Sequence, residues 1–172
     1  MRYLVVSDNH GERDILVDLV ARYQSQVDYL LHCGDSELRV DDDLFKNFKV
    51  VKGNCDYNPA FLEKQVLNAD FDKVLLTHGN NLGVNFGLTR LRLAAEEEGA
   101  NLAFFGHTHK LGCEYEGQTL FLNPGSISFP RGEFAYLDGT YAIVETSLQT
   151  ITVQYYNRKF EPVPELHFEY QR

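Results

Sequence analysis

Five short apolar runs punctuate the first two-thirds of this 172-residue chain, and each closes on a turn rich in polar residues. The runs are Leu4–Val6, Tyr29–Leu31, Phe48–Val51, Val74–Leu76 and Leu102–Phe105. Such runs fit strands buried on both faces, the condition of a parallel sheet covered by helices. Helical spacing supplies the cover. Ile15, Leu16, Leu19, Val20 and Tyr23 recur on one face between the first two runs. Val84, Leu88, Leu91 and Ala95 do so before the fifth, ending at Gly99 as a helix C-cap.

After Gly106 the texture changes. Residues Glu114 to Phe121 read as a hairpin turning at Gly117, and Tyr141–Glu145 with Ile151–Tyr155 as another antiparallel pair. The expectation is an α/β fold, a layered β-sandwich flanked by helices, in which the later strands form a second sheet packed on the first. Strand order stays open.

Composition narrows the class further. The chain is long enough to bury a core, and 12 Phe and 10 Tyr exclude disorder. No apolar run approaches the ~18 residues of a membrane helix. The N-terminus turns polar after four apolar residues and does not read as a signal peptide. Cys33, Cys55 and Cys113 are too few for a disulfide framework. These features predict a cytoplasmic protein. A net charge of −9 argues against tight duplex nucleic-acid binding, which needs many phosphates neutralised. A small anionic ligand is compatible if bound metal supplies local positive charge.

The polar residues that close the runs carry the chemistry. They are Ser7-Asp8-Asn9-His10, His32-Cys33-Gly34-Asp35, Lys52-Gly53-Asn54-Cys55-Asp56, Thr77-His78-Gly79 and Gly106-His107-Thr108-His109. In a parallel sheet all strand C-termini open on one edge, where ligands bind. Asp8, His10, Asp35, Asn54, His78, His107 and His109 are thereby delivered to one rim. Asp8 with His10, and His107 with His109, stand two apart; on extended chain each pair points to one side. Carboxylate, amide and imidazole together suit Mn²⁺, Fe²⁺ or Zn²⁺. Seven ligands exceed the needs of one ion and point to two ions sharing a carboxylate.

Each piece alone has a plainer reading. Asp-x-His after a strand is often a capped turn, Gly-Asp is uninformative, and His78 could be a satisfied core histidine; only the joint pattern is specific. His32 reads as a core or supporting residue, His167 as surface in a Pro-flanked tail, and Cys33 as a small buried hydrophobe. Asn80–Gly87 reads equally as site lining or as a plain loop. Asp41–Asp43 reads as a solvated loop or helix start.

The ordered set Asp8-x-His10, Gly34-Asp35, Gly53-Asn54, His78-Gly79 and Gly106-His107-x-His109 resembles the calcineurin-like metallophosphoesterase superfamily. Gly53-Asn54-Cys55-Asp56, Gly106-His107-Thr108-His109 and Asn123-Pro124-Gly125-Ser126 look like the small YfcE-type prokaryotic phosphodiesterases, over most of the chain. The resemblance implies one metallophosphoesterase domain over residues 1–172. It implies two divalent ions, manganese foremost, with nickel, iron or zinc as alternatives. Asp8, His10 and His109 would hold the first, Asn54, His78 and His107 the second, and Asp35 would bridge. The implied reaction is hydrolysis of small phosphodiesters or phosphate esters, by attack of a bridging hydroxide on phosphorus. Asn54 would also stabilise charge on the phosphoryl oxygens, and Cys55 stands where many members carry the histidine that contacts phosphate or protonates the leaving group. Homodimerisation stays open. The rival readings are a non-catalytic scaffold, like the related retromer subunit, and a module that binds phosphate or nucleotide without hydrolysis.

Overall fold

The strands divide between two sheets. The computed structural model describes residues 1–172. Its first sheet has six strands in the order β11-β10-β9-β1-β2-β3, and the second five in the order β4-β5-β6-β8-β7. β1 (Arg2–Val6), β2 (Tyr29–His32) and β3 (Phe48–Val50) pair in parallel. β5 (Asp72–Thr77), β6 (Leu102–Phe104) and β8 (Thr119–Asn123) form the parallel part of the second sheet. The expectation of one parallel sheet beneath all five polar turns is therefore corrected: the chain changes sheet between β3 and β4 (Lys64–Ala69). It returns with β9 (Thr140–Thr146), which pairs antiparallel with β1, and continues into β10 (Thr150–Asn157) and β11 (Pro162–Gln171).

Alternation along β1 shows how the layers form. Tyr3 and Val5 point into the core between the sheets, with Leu31, Val74, Leu76, Leu102, Phe104, Leu120 and Leu122. Leu4 and Val6 point the other way, onto Ile15, Leu16, Leu19 and Tyr23 of α1 (Arg13–Tyr23). Leu75, Ala103 and Phe121 bury the outer face of the second sheet against Leu91 and Ala95 of α2 (Thr89–Glu98). The result is a helix–sheet–sheet–helix sandwich, as the α/β layering predicted.

Two local outcomes differ from the sequence reading. α2 starts at Thr89, so Val84 belongs to a separate 3-10 turn, although Gly99 caps the helix in the left-handed region as expected. The tail around His167 is a ten-residue strand, β11, and His167 is exposed on it. Pro162 and Pro164 are tolerated because β11 is a sheet edge. The hairpin of β7 (Gly112–Glu116) with β8, turning at Gly117, is as expected. No helix is long and apolar enough to cross a membrane.

Candidate metal centre

Although the strands lie in two sheets, the loops after β1, β2, β3, β5 and β6 meet at one end of the sandwich. Backbone hydrogen bonds join them. Asp8 donates to the Gly34 carbonyl and His10 to that of Asp35, both at 3.1 Å. Gly106 donates to the His78 carbonyl at 3.0 Å, and the His107 N–H reaches Asp8 Oδ2 across the sheets at 3.3 Å. Packing is close enough to exclude side chains: a Cβ on Gly53 would lie 2.0 Å from Asp35 Oδ1, and one on Gly106 2.1 Å from Ser7 Oγ.

The paired residues are not extended. Asp8, His10, Asp35, His107 and His109 all take positive φ, between 43° and 70°. For non-glycine residues this conformation costs about 1–2 kcal/mol each, and such strain concentrates at functional sites. It also corrects the side-chain geometry expected from extended chain. His107 and His109 point apart: His109 joins Asp8 and His10, while the His107 ring packs on His78 with centroids 5.1 Å apart.

Asp8, His10 and His109 form one cluster of candidate ligand atoms, all within 4.8 Å of one another. His10 Nδ1 lies 2.6 Å from the Glu37 carboxylate, and His109 Nδ1 lies 2.8 Å from the Phe129 carbonyl. Those acceptors fix the ring protons on Nδ1 and turn both Nε2 atoms to the same point, 3.1 Å apart. Asp8 Oδ1 stands 3.3 Å from the His109 Nε2, fully buried and without a hydrogen bond. An orphaned buried carboxylate oxygen facing two imidazole nitrogens is costly without a partner. A divalent cation satisfies all three atoms. The residues fit the metal.

The second cluster is built alike. His78 Nδ1 donates to the Cys33 carbonyl at 2.8 Å, so its Nε2 faces Asn54 Oδ1 at 3.1 Å and Asp35 Oδ2 at 3.4 Å. Asp35 belongs to groupings with Asp8 and His78 and with His10 and Cys55, a position between the two clusters. Its other oxygen accepts from the Cys55 N–H at 2.7 Å. His107 stands to one side, its Nε2 taking the Asn85 amide at 2.8 Å, which leaves Nδ1 free.

Titration follows from these contacts. Burial opposes charge on His78, but Asp35 and Asp8 outweigh it and raise its pKa above 6.5. His109 is likewise raised, burial being outweighed by contact with the Asp8 carboxylate. His107 is lowered, by burial and by the charge of His78. Asp35 is held at about 2, its burial offset by His78 and the Cys55 N–H. The Cys55 thiol is pushed up to about 11 by burial and the Asp35 charge. His32, as expected, supports the site: buried and held at about 4 chiefly by that burial, it bonds Asn9 Oδ1 at 2.9 Å and accepts from the Gly34 N–H.

Sequence reasoning missed three supporting residues, Glu37, Asp56 and Ser126. Glu37 orients His10. Asp56 accepts from Gly53, Ser36 and Glu37 at 2.8–3.3 Å and ties the loops after β2 and β3 together. Ser126 donates to the Asp8 carbonyl at 2.7 Å. Of the two readings of Asn80–Gly87, site lining holds at Asn85, which contacts His107. Glu37 stands two residues beyond Asp35, the same spacing as Asp8 and His10, and that signal was available.

Comparisons with known proteins bear on the family and the fold. Residues 1–149 match the calcineurin-like phosphoesterase superfamily domain. The chain is 36% identical over 166 residues to the probable metallophosphoesterase YsnB of Bacillus subtilis, covering 96% of each. A crystal structure of a predicted phosphoesterase from Streptococcus pneumoniae superposes with a TM-score of 0.95 at 38% identity, covering 99% of this chain and 97% of that one. Phosphodiesterase YfcE of Escherichia coli K12 is 30% identical over 90 residues, 48% of this chain and 45% of that one, less than the expected share. Vps29 from Cryptosporidium parvum, at a TM-score of 0.74 and 20% identity over 99% of this chain and 98% of its own, shares the fold.

Proposed function

This chain belongs to the calcineurin-like phosphoesterase superfamily, and on that premise we propose that it hydrolyses small phosphodiesters at a pair of divalent ions, manganese foremost. One observation carries the reading: the buried, unpartnered Asp8 Oδ1 faces the convergent Nε2 atoms of His10 and His109. Asp8, His10 and His109 would hold one ion, and Asn54, His78 and His107 the other, with Asp35 between them. When bound, such a pair activates water and neutralises charge on the phosphoryl oxygens.

The chain's own groups set the rest. Glu37 and the carbonyls of Cys33 and Phe129 orient the imidazoles, so little reorganisation accompanies reaction. Water oxygen bonds to phosphorus, the ester P–O bond breaks, and the departing alkoxide takes a proton. Cys55 supplies that proton poorly, because its thiol is held at about 11. Esters of acidic alcohols and phenols are therefore favoured. The charge of −9 favours small diesters over duplex nucleic acid.

The test is release of p-nitrophenol from bis(p-nitrophenyl) phosphate by protein stripped of metal and then given Mn²⁺. Turnover that appears with Mn²⁺ and disappears with chelator supports the reading. No turnover with the ions bound favours the scaffold reading, for which the weak donor at Cys55 is the motivating feature.

A further inference from the structure

Cys55 and Glu37 each belong to two places at once. The Cys55 sulfur lies within 4.8 Å of a His10 nitrogen and an Asp35 oxygen, and the Glu37 carboxylate contacts His10 Nδ1 at 2.6 Å. Both residues also line a pocket of about 270 Å³. The pocket therefore shares a wall with the candidate metal centre. It falls just below the ~300–1,000 Å³ of cavities that enclose drug-sized ligands, a size suited to one small substituent.

Its remaining walls are largely apolar and aromatic, from Leu38, Tyr57 and Phe61. Phe61 is buried and fixed by an edge-to-face contact with Phe45, the ring centroids 5.6 Å apart. Tyr57 is 88% exposed, so its ring is available to a ligand. The charge in the lining is all negative, from Glu37 and Asp56. Asp56 is buried and commits its oxygens to the N–H groups of Gly53, Ser36 and Glu37, so Glu37 is the carboxylate open to a ligand. No lysine, arginine or histidine lines the pocket, and the adjacent Arg39 is held by both oxygens of Asp41 at 2.9 Å.

We infer that this pocket receives an alcohol half of the phosphoester, and that this alcohol carries a quaternary ammonium group. The inference rests on the phosphoesterase reading for the position of the phosphate, and it names the group attached there. A cation over an aromatic face is attracted by the ring quadrupole, and the Glu37 carboxylate adds to that attraction. Methyl groups on the nitrogen meet Leu38 and Phe61 without leaving a donor unsatisfied, as a primary ammonium would. A second anionic group on the substrate meets Glu37 with no cation in the lining to offset it, and is rejected. The shared wall keeps the path from phosphate to pocket short, as a two-carbon alcohol requires.

The experiment is calorimetric binding of phosphocholine and of 3,3-dimethylbutyl phosphate to the Mn²⁺-loaded protein, which needs no turnover. The two ligands share one shape and differ in a charged nitrogen against a neutral carbon. Phosphocholine is expected to bind about 3–30-fold more tightly, the range of a cation on an aromatic ring. Tyr57→Ala should bring that ratio most of the way to one, and Tyr57→Phe, which keeps the ring, should preserve it. Neither substitution changes the net charge of the chain. A ratio that survives Tyr57→Ala therefore comes from the general negative field and overturns the pocket assignment. Equal affinities in the unmodified protein, with both ligands bound, would overturn the subsite and spare the phosphoesterase reading. Failure of both ligands and of inorganic phosphate to bind would overturn both.

Discussion

His10 and His109, 99 residues apart in sequence, bring their Nε2 atoms to 3.1 Å of each other above a buried Asp8 oxygen that no hydrogen bond reaches. A proton or a cation must occupy that point, and the choice decides stability. At a Mn²⁺ concentration a hundredfold above Kd, binding adds about 2.7 kcal/mol, or about 5–10 °C in Tm for a domain of this size. Asp8→Asn should lose most of that shift, yet its metal-free form should melt no lower than the unmodified metal-free protein. Differential scanning calorimetry with and without Mn²⁺ checks both halves. A full metal-induced shift in Asp8→Asn would remove Asp8 from the ligand set.

Asp35 lies between the two clusters, so its loss should reach both. Elemental analysis of Asp35→Asn should find metal content falling well below half of the unmodified value. His109→Ala should lose one ion first. Two ions retained in Asp35→Asn would exclude a bridging role.

Protons and metal compete for the same nitrogens. His78 and His109 have pKa values raised above 6.5 in the metal-free protein. Their protonation stabilises that form below pH 6.5, and the contribution is lost as pH rises through the raised values. Metal binding must displace those protons, so Mn²⁺ affinity should climb with pH across the same window, with proton release on binding. Titrations in buffers of different ionisation enthalpy measure that release. An affinity flat between pH 6 and 8 would contradict it.

How far the site could be read from sequence is clearest at Glu37. The seven candidate ligands announce themselves because each closes an apolar run, where strand ends converge. Glu37 closes nothing. Its two-residue offset from Asp35 is its only local mark; its role depends on a left-handed backbone (φ +53°) held by Asp56, a tertiary arrangement. The fold shows the same division. Buried strands such as β1 and β6 carry unbroken apolar runs, whereas β4 and β11 are edge strands whose polar, half-exposed residues resemble loop. Sheet membership was hidden for another reason: five similar runs do not encode which of them pair.

Glu37→Gln removes the charge that orients and polarises His10 while keeping the side-chain shape. Loss of such a supporting carboxylate typically costs 10–100-fold in metal affinity. Calorimetry should show that loss for the ion at the Asp8–His10–His109 cluster, and Glu37→Asp should restore part of it. Unchanged affinity in Glu37→Gln would make the 2.6 Å contact incidental.

Cys55 is half-buried beside Asp35, with the Asn54 amide 3.2 Å from its sulfur. Cys55→His places an imidazole there, and proton donation is typically worth ~10²–10⁴-fold for a poor leaving group. The kcat/KM ratio of an alkyl to an aryl diester should therefore rise at least about tenfold. A ratio that stays put with metal content intact would argue that position 55 takes no part in proton transfer.

The candidate ligands come from loops of both sheets, and the contact between the His107 N–H and Asp8 spans 99 residues of chain. During synthesis, a ribosome-bound chain displaying Asp8, His10 and Asp35 but not residues 106–109 offers only a fragment of a chelating pocket, too open to retain an ion. An ion held by these residues would therefore be captured only after the later β-strands have docked, and its occupancy would mark completed folding, the ion-free chain being the form whose two halves are least firmly joined.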